Sequence, residues 1–149
     1  MICTLKELLE YKNSAVVNRF KKEFPKVDHR AEEIFTDLLR FFWGTKKHKL
    51  DRTENPDCAD LDFFFIMDDD MREIDQMWHV FLLYTRDYGE FCHKYFNEYL
   101  HHQPDLVPLF ETQGFRFETN LERFLNYSFE VFGENVIRRW FSNSLARVT

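Results

Sequence analysis

Apolar residues recur at spacings of three and four along the first part of the chain, a pattern typical of amphipathic helices. The pattern runs over residues 5–24, and Pro25 ends it because proline cannot continue a helix. Thr4 is the predicted N-cap of this region. Asn13-Ser14 is expected to break it into two helices.

The next apolar pattern predicts a helix from Asp28, as its N-cap, to Gly44. Gly44 is placed at the C-terminal end because glycine is favoured there. The residues that follow, 45–70, are predicted to form an irregular connection. Within it, residues 63–67 form a short apolar run with no obvious strand partner, so we expect an extended segment packed on the core.

A long helix is predicted from Asp70 to about His101-His102. Asp70 and Glu73 have the spacing of a capping box, and apolar residues cover more than half of the helix circumference. Such a helix is expected to lie at the centre of the fold. Cys92 falls on its apolar face, where a thiol behaves as a small hydrophobic group.

One polar line borders this apolar face and consists of Asp75, His79, Arg86 and His93. On a regular helix these residues lie within about 40° of one another. Polar groups at the edge of a core face need partners or water, so they often fix a neighbouring helix or line a binding groove. Together with Trp78, these four residues are the candidate partner-binding site.

Two further helices are predicted, at about 119–132 and 134–146, separated by Gly133. The sequence therefore predicts an all-α fold, a single compact domain over residues 1–149. Its five or six helices are expected to surround one central aromatic-rich helix. The 18 Phe and only 4 Gly residues indicate a core built from rings.

Charge and cysteine usage narrow the classes of function. A net charge of -6 argues against nucleic acid and anionic membranes as partners, because both attract basic proteins. Three widely spaced cysteines without a CxxC pair argue against a disulfide framework or a zinc finger. The N-terminal residues do not read as a signal peptide, so the expected location is the cytoplasm.

The length of a continuous helix limits which residues can share a metal ion. Each residue adds about 1.5 Å, so His79 and Cys92 would be about 20 Å apart, whereas ligands lie about 2 Å from their ion. Only Asp75 and His79, four residues apart, could bind one ion together. No cofactor, metal or catalytic residue is therefore predicted, and a metal-dependent enzyme or metal-binding protein centred on this pair is the alternative.

Three blocks of the sequence resemble a known family. They are DxxWH at 75–79, YxxFC at 88–92 and HHxP at 101–104. They are similar to the short bacterial members of the glycine-rich domain-containing protein-like family. The resemblance implies a helical fold. It weakens a metal site, because Val80 and Phe81 stand where many relatives have a second histidine.

The leading interpretation is a non-enzymatic, protein-binding or regulatory module that holds another protein on an aromatic-rich surface. The number of rings exceeds the needs of one core, and no complete catalytic motif is visible in the sequence. A homodimer that buries the surplus rings is a third alternative.

Overall fold

The computed structural model describes residues 2–102 and 117–141. These residues form seven α-helices and no strand: α1 (Leu5–Leu9), α2 (Ser14–Glu23), α3 (Ala31–Glu54), α4 (Arg72–Leu83), α5 (Thr85–Phe96), α6 (Phe117–Phe132) and α7 (Glu134–Trp140). Short 3-10 turns cover Pro25–Arg30, Ala59–Leu61 and Asp69–Met71. The all-α prediction is confirmed. The final residues of the helix predicted at 134–146 lie outside the described residues.

Side-chain caps separate the first two helices as the sequence predicts. The hydroxyl of Thr4 accepts a hydrogen bond from the Glu7 N–H at 3.1 Å and begins α1. The side-chain oxygen of Asn13 accepts one from the Val16 N–H, also at 3.1 Å, and begins α2. Both caps satisfy N–H groups that have no partner within the helix.

The predicted end of α3 at Gly44 is wrong, because the helix continues to Glu54. Gly44 is needed for close packing instead: a Cβ atom here would lie 2.6 Å from Phe65 Cζ and 2.9 Å from Phe132 Cζ. The predicted start is also wrong, since Asp28 lies inside a 3-10 turn and α3 begins at Ala31. The irregular connection predicted from residue 45 therefore begins only after α3.

The apolar segment after α3 packs on the core without forming a strand. Phe63 and Ile66 are buried, and residues 64–68 have no regular secondary structure. The side chain of Asn120 takes the place of a strand partner. Its Oδ1 accepts from the Phe64 N–H at 2.7 Å, and its Nδ2 donates to the Phe64 carbonyl at 3.0 Å. One buried amide thus satisfies both backbone groups of Phe64.

The long helix predicted from Asp70 onwards is interrupted at Tyr84. Tyr84 has φ -91° and ψ 68°, outside the helical region, and separates α4 from α5. The break lets the Trp78 indole N–H donate to the Tyr88 hydroxyl at 3.0 Å, although ten positions of a continuous helix would span about 15 Å. The predicted capping box is wrong as well, since Met71 precedes α4 without a side-chain cap.

The chain divides into two compact units that alternate along the sequence. The first comprises Met1–Trp43 and Met71–Leu100, and the second comprises Gly44–Asp70 and His101–Thr149. Two of the boundaries fall inside helical elements, one within α3 and one within the Asp69–Met71 turn. Because these boundaries lie within helical elements, the sequence shows no linker segment there, and it predicts a single domain.

Aromatic rings fill the interior of each unit, as the phenylalanine content predicts. In the first unit, the buried ring of Phe81 lies 5.0 Å from that of Tyr88 and 5.3 Å from that of Phe91. In the second unit, the rings of Phe65 and Phe124 are 4.5 Å apart. Such pairs add about 0.5–1.5 kcal/mol each beyond the burial of their area.

Candidate functional site

The five predicted site residues are divided between two helices of the first unit. Asp75, Trp78 and His79 lie on α4, whereas Arg86 and His93 lie on α5. The prediction of one polar line along a continuous helix is therefore wrong, because the helix is broken at Tyr84. The spacing argument still holds within α4, where Asp75 and His79 are one turn apart.

Trp78 belongs to the aromatic core of the first unit. Its side chain is 7% exposed, and its ring lies 5.8 Å from that of Phe41 and 5.1 Å from that of Phe42. Its indole N–H donates to the Tyr88 hydroxyl. A partner could touch this ring only if the core opened, so the structure argues against Trp78 as a direct contact and makes it an anchor that holds α4 in place.

The hydroxyl of Tyr88, a residue of α5, joins α4 to the segment that follows α5. It accepts from Trp78 and donates to the Leu100 carbonyl. Burial raises the pKa of Tyr88 and also the pKa of the neighbouring Cys92 thiol. Cys92 is buried, as predicted, so its thiol stays protonated and acts as a small core group rather than a nucleophile.

Asp75 and His79 are brought together on the outer side of α4. His79 Nε2 lies 3.6 Å from Asp75 Oδ1, and their side chains are 60% and 33% exposed, respectively. Two atoms that each lie about 2.0–2.1 Å from one ion are at most about 4 Å apart, so the observed distance is compatible with a shared divalent metal. The pair would supply two of the three or four protein ligands that zinc usually takes.

Leu83 extends the outer side of α4 by one more turn. It is 61% exposed although it is a large apolar residue. Asp75, His79 and Leu83 follow one another at intervals of four residues, so they form a continuous surface that we name the α4 face. Leu83 was not among the predicted site residues, because the helix was expected to continue beyond it and the end of α4 at this residue was not predicted.

A second feature that sequence reasoning missed lies in the second unit. A cleft of about 580 Å³ is lined by the end of α3, the Ala59–Leu61 turn and α6, and we name it the α3–α6 cleft. Its lining includes Asp51, Asp60 and Glu130 together with the exposed thiol of Cys58. The residues come from two distant parts of the sequence, and the extension of α3 beyond Gly44 was not predicted.

Over residues 2–102 and 117–141, no helix combines the length and the apolar character that a membrane span requires.

Comparison with known proteins identifies a family. Residues 6–123 match the sequence profile of the UCP032817-like family. No curated protein and no solved structure matches the chain significantly. The resemblance to the glycine-rich domain-containing protein-like family stays a prediction. Because the matched region covers more than half of the 149 residues, the chain belongs to the UCP032817-like family.

Proposed function

We propose that this protein is a helical protein-binding module and that the α4 face contacts its partner. The observation that carries the proposal is Leu83, a large apolar side chain that is 61% exposed beside the polar pair Asp75 and His79. An apolar anchor next to groups that can hydrogen-bond is the usual composition of a protein interface. Fully burying a leucine side chain contributes about 1.5–3 kcal/mol, so its contact with a partner would be favourable.

The partner that fits this face presents an apolar side chain to Leu83 and polar groups to the carboxylate of Asp75 and the imidazole of His79. Arg86 and His93, both exposed on α5, are proposed as further contacts. Trp78 contributes indirectly, because its buried ring fixes the helix that carries the α4 face.

Photo-crosslinking in cells tests this proposal. A crosslinking amino acid is placed at Leu83 and, as a matched control, at Asn18, which is exposed on α2 of the same unit. We expect a protein that is captured from position 83 but not from position 18. The captured protein is then purified, and its affinity for Leu83→Asp should fall by about tenfold or more, since burying a carboxylate without a partner costs well over 1.4 kcal/mol.

Two results would overturn the proposal. Identical cross-links from positions 83 and 18 would show that the surface makes no specific contact. Equal affinity of the purified partner for the Leu83→Asp variant and the natural protein would show that the α4 face is not the binding surface.

Metal binding is the second candidate function, and the 3.6 Å separation of Asp75 Oδ1 and His79 Nε2 favours it. Titration calorimetry of untagged protein with Zn²⁺ tests it. His79→Ala should abolish the tightest binding step. His93→Ala is the matched control, because His93 is also exposed on a helix but has Gly89 where His79 has Asp75. Equal titrations of the natural protein and His79→Ala would exclude zinc binding at this pair.

A further inference from the structure

The α3–α6 cleft has an acidic lining on an acidic unit. It contains three carboxylates, those of Asp51, Asp60 and Glu130, and one guanidinium, that of Arg123. The sequence segments of the second unit carry 14 Asp and Glu against 9 Lys and Arg residues. A concave surface lined by one sign of charge concentrates ligands of the opposite sign, so the chemistry of the cleft favours a cation.

Two of the charged residues that line the cleft already make contacts within the protein. The Asp51 carboxylate accepts from the Tyr127 hydroxyl at 2.8 Å and pairs with the Lys47 ammonium at 2.9 Å. Arg123 Nη1 donates to the Asp62 carbonyl at 2.7 Å. These contacts hold the residues in place and leave them less available for a ligand.

Asp60 and Glu130 are available to a ligand. Both are exposed, and within the described part of the chain neither makes a hydrogen bond or an ion pair. Phe129, which also lines the cleft, is 53% exposed and offers a ring face. Two carboxylates beside an aromatic face suit a planar guanidinium, which donates to carboxylates in a fork and stacks on rings.

We propose that the α3–α6 cleft binds the arginine side chain of a peptide segment in a partner protein. The guanidinium stacks on Phe129 and donates to Asp60 and Glu130, while the methylene stem covers Leu61. Arginine is favoured over lysine because an ammonium is more strongly hydrated and cannot stack as a plane. A volume of about 580 Å³ leaves room for the backbone on either side of the arginine. The site shares no residue with the α4 face.

Cys58 provides a direct reporter of occupancy. Its thiol is exposed and lines the cleft, whereas Cys3 is half-buried and Cys92 is buried. The rate of Cys58 alkylation by iodoacetamide is measured by mass spectrometry with and without the peptide acetyl-Gly-Arg-Gly-amide. At a peptide concentration about four times its Kd, alkylation of Cys58 should slow about fivefold, because only empty clefts react. Alkylation of Cys3 should be unchanged.

Two peptides separate charge from shape. The same peptide with citrulline in place of arginine has nearly the same shape and no charge, so it should protect Cys58 poorly. The lysine peptide should protect less than the arginine peptide. Equal protection by all three peptides would overturn the proposal, and so would equal protection of Cys3 by the arginine peptide.

Matched variants then test the residues. Glu130→Gln and Phe129→Ala should each weaken the protection of Cys58 by the arginine peptide. For Glu130→Gln, the Kd of the peptide should rise about tenfold, because the substitution removes a charged hydrogen bond. Glu122→Gln is the control, since Glu122 is exposed on α6 outside the cleft. Thermal unfolding confirms that each variant is folded. If the peptide protects Cys58 equally well in Glu130→Gln and in Glu122→Gln, the proposal is wrong. Normal protection of Cys58 in a Leu83→Asp variant would show that the cleft binds its ligand independently of the α4 face.

Discussion

Gly44 and Gly89 both lie inside described helices, and alanine at these two positions should change stability in opposite directions. In a helix interior, alanine is more favourable than glycine by about 0.5–1 kcal/mol, because glycine loses more conformational freedom on folding. At Gly89 in α5, a new Cβ meets no atom within 4 Å. Gly89→Ala is therefore expected to raise the free energy of unfolding by about 0.5–1 kcal/mol.

At Gly44 the packing of two rings reverses the sign. The new Cβ would lie 2.6 Å from Phe65 Cζ and 2.9 Å from Phe132 Cζ. Carbon atoms pack at about 3.5–4.0 Å, so the nearer ring must withdraw by about 1 Å. Phe65 is held against Phe124 at 4.5 Å and Phe132 against Trp140 at 5.2 Å. Overpacking of this kind costs about 1–3 kcal/mol, which exceeds the helical gain and leaves a net loss of about 1 kcal/mol.

Urea unfolding, followed by far-UV circular dichroism, measures both changes. The dependence on urea should be the same in both variants, so that the midpoints report stability directly. Adding Phe132→Leu to Gly44→Ala should recover part of the loss, because it makes room for the Cβ. If Gly44→Ala stabilises the protein as much as Gly89→Ala does, the rings withdraw freely and close packing is not the reason for glycine in α3.

Three other substitutions test the interior. Asn120→Asp should cost about 2–4 kcal/mol at neutral pH, because an ionised carboxylate accepts from the Phe64 N–H but cannot donate to its carbonyl. The cost should shrink as the pH falls, since burial raises the pKa of a carboxyl group there and its neutral form donates again; a cost independent of pH in urea unfolding would contradict this. Burial lowers the pKa of His48, so its neutral form is favoured in the folded state and stability should be lost as the pH falls from about 6.5 through the lower folded value. His48→Gln should flatten that part of the profile, and an unchanged slope would show that His48 does not cause it. Tyr88→Phe leaves the Trp78 N–H without its acceptor and should lower the free energy of unfolding by about 1–3 kcal/mol, whereas a thermal unfolding curve identical to that of the natural protein would refute this.

The parts of the fold that follow from neighbouring residues could be predicted from the sequence. Thr4 and Asn13 cap helices through hydrogen bonds to N–H groups three residues away, so their role is visible locally. Gly44 and Tyr84 depend on distant contacts. A glycine suits both a helix end and a close approach, and only the positions of Phe65 and Phe132 decide between them. At Tyr84 neither proline nor glycine marks the break.

The same distinction explains how much of the candidate site could be predicted. Asp75 and His79 are paired by helical spacing alone, so the sequence was enough to place them together. The predicted alignment of Arg86 and His93 with this pair assumed an unbroken helix, whereas the helix is broken at Tyr84. The α3–α6 cleft was not predicted, because the residues that line it together with Asp51 and Cys58 lie on α6, far along the chain.

The alternation of the two units along the sequence has a consequence for biosynthesis. The first unit lacks residues 71–100 until the ribosome has already released residues 44–70, so it cannot close as soon as its opening segment emerges. At about 5–20 residues per second, this delay lasts a few seconds. During this time the apolar residues of segment 1–43 lack the residues against which they pack in the folded protein. A nascent chain stalled at the point where residues 1–43 have just emerged from the ribosome should therefore be sensitive to protease, and a gene fragment encoding either unit would need an artificial join between its two segments.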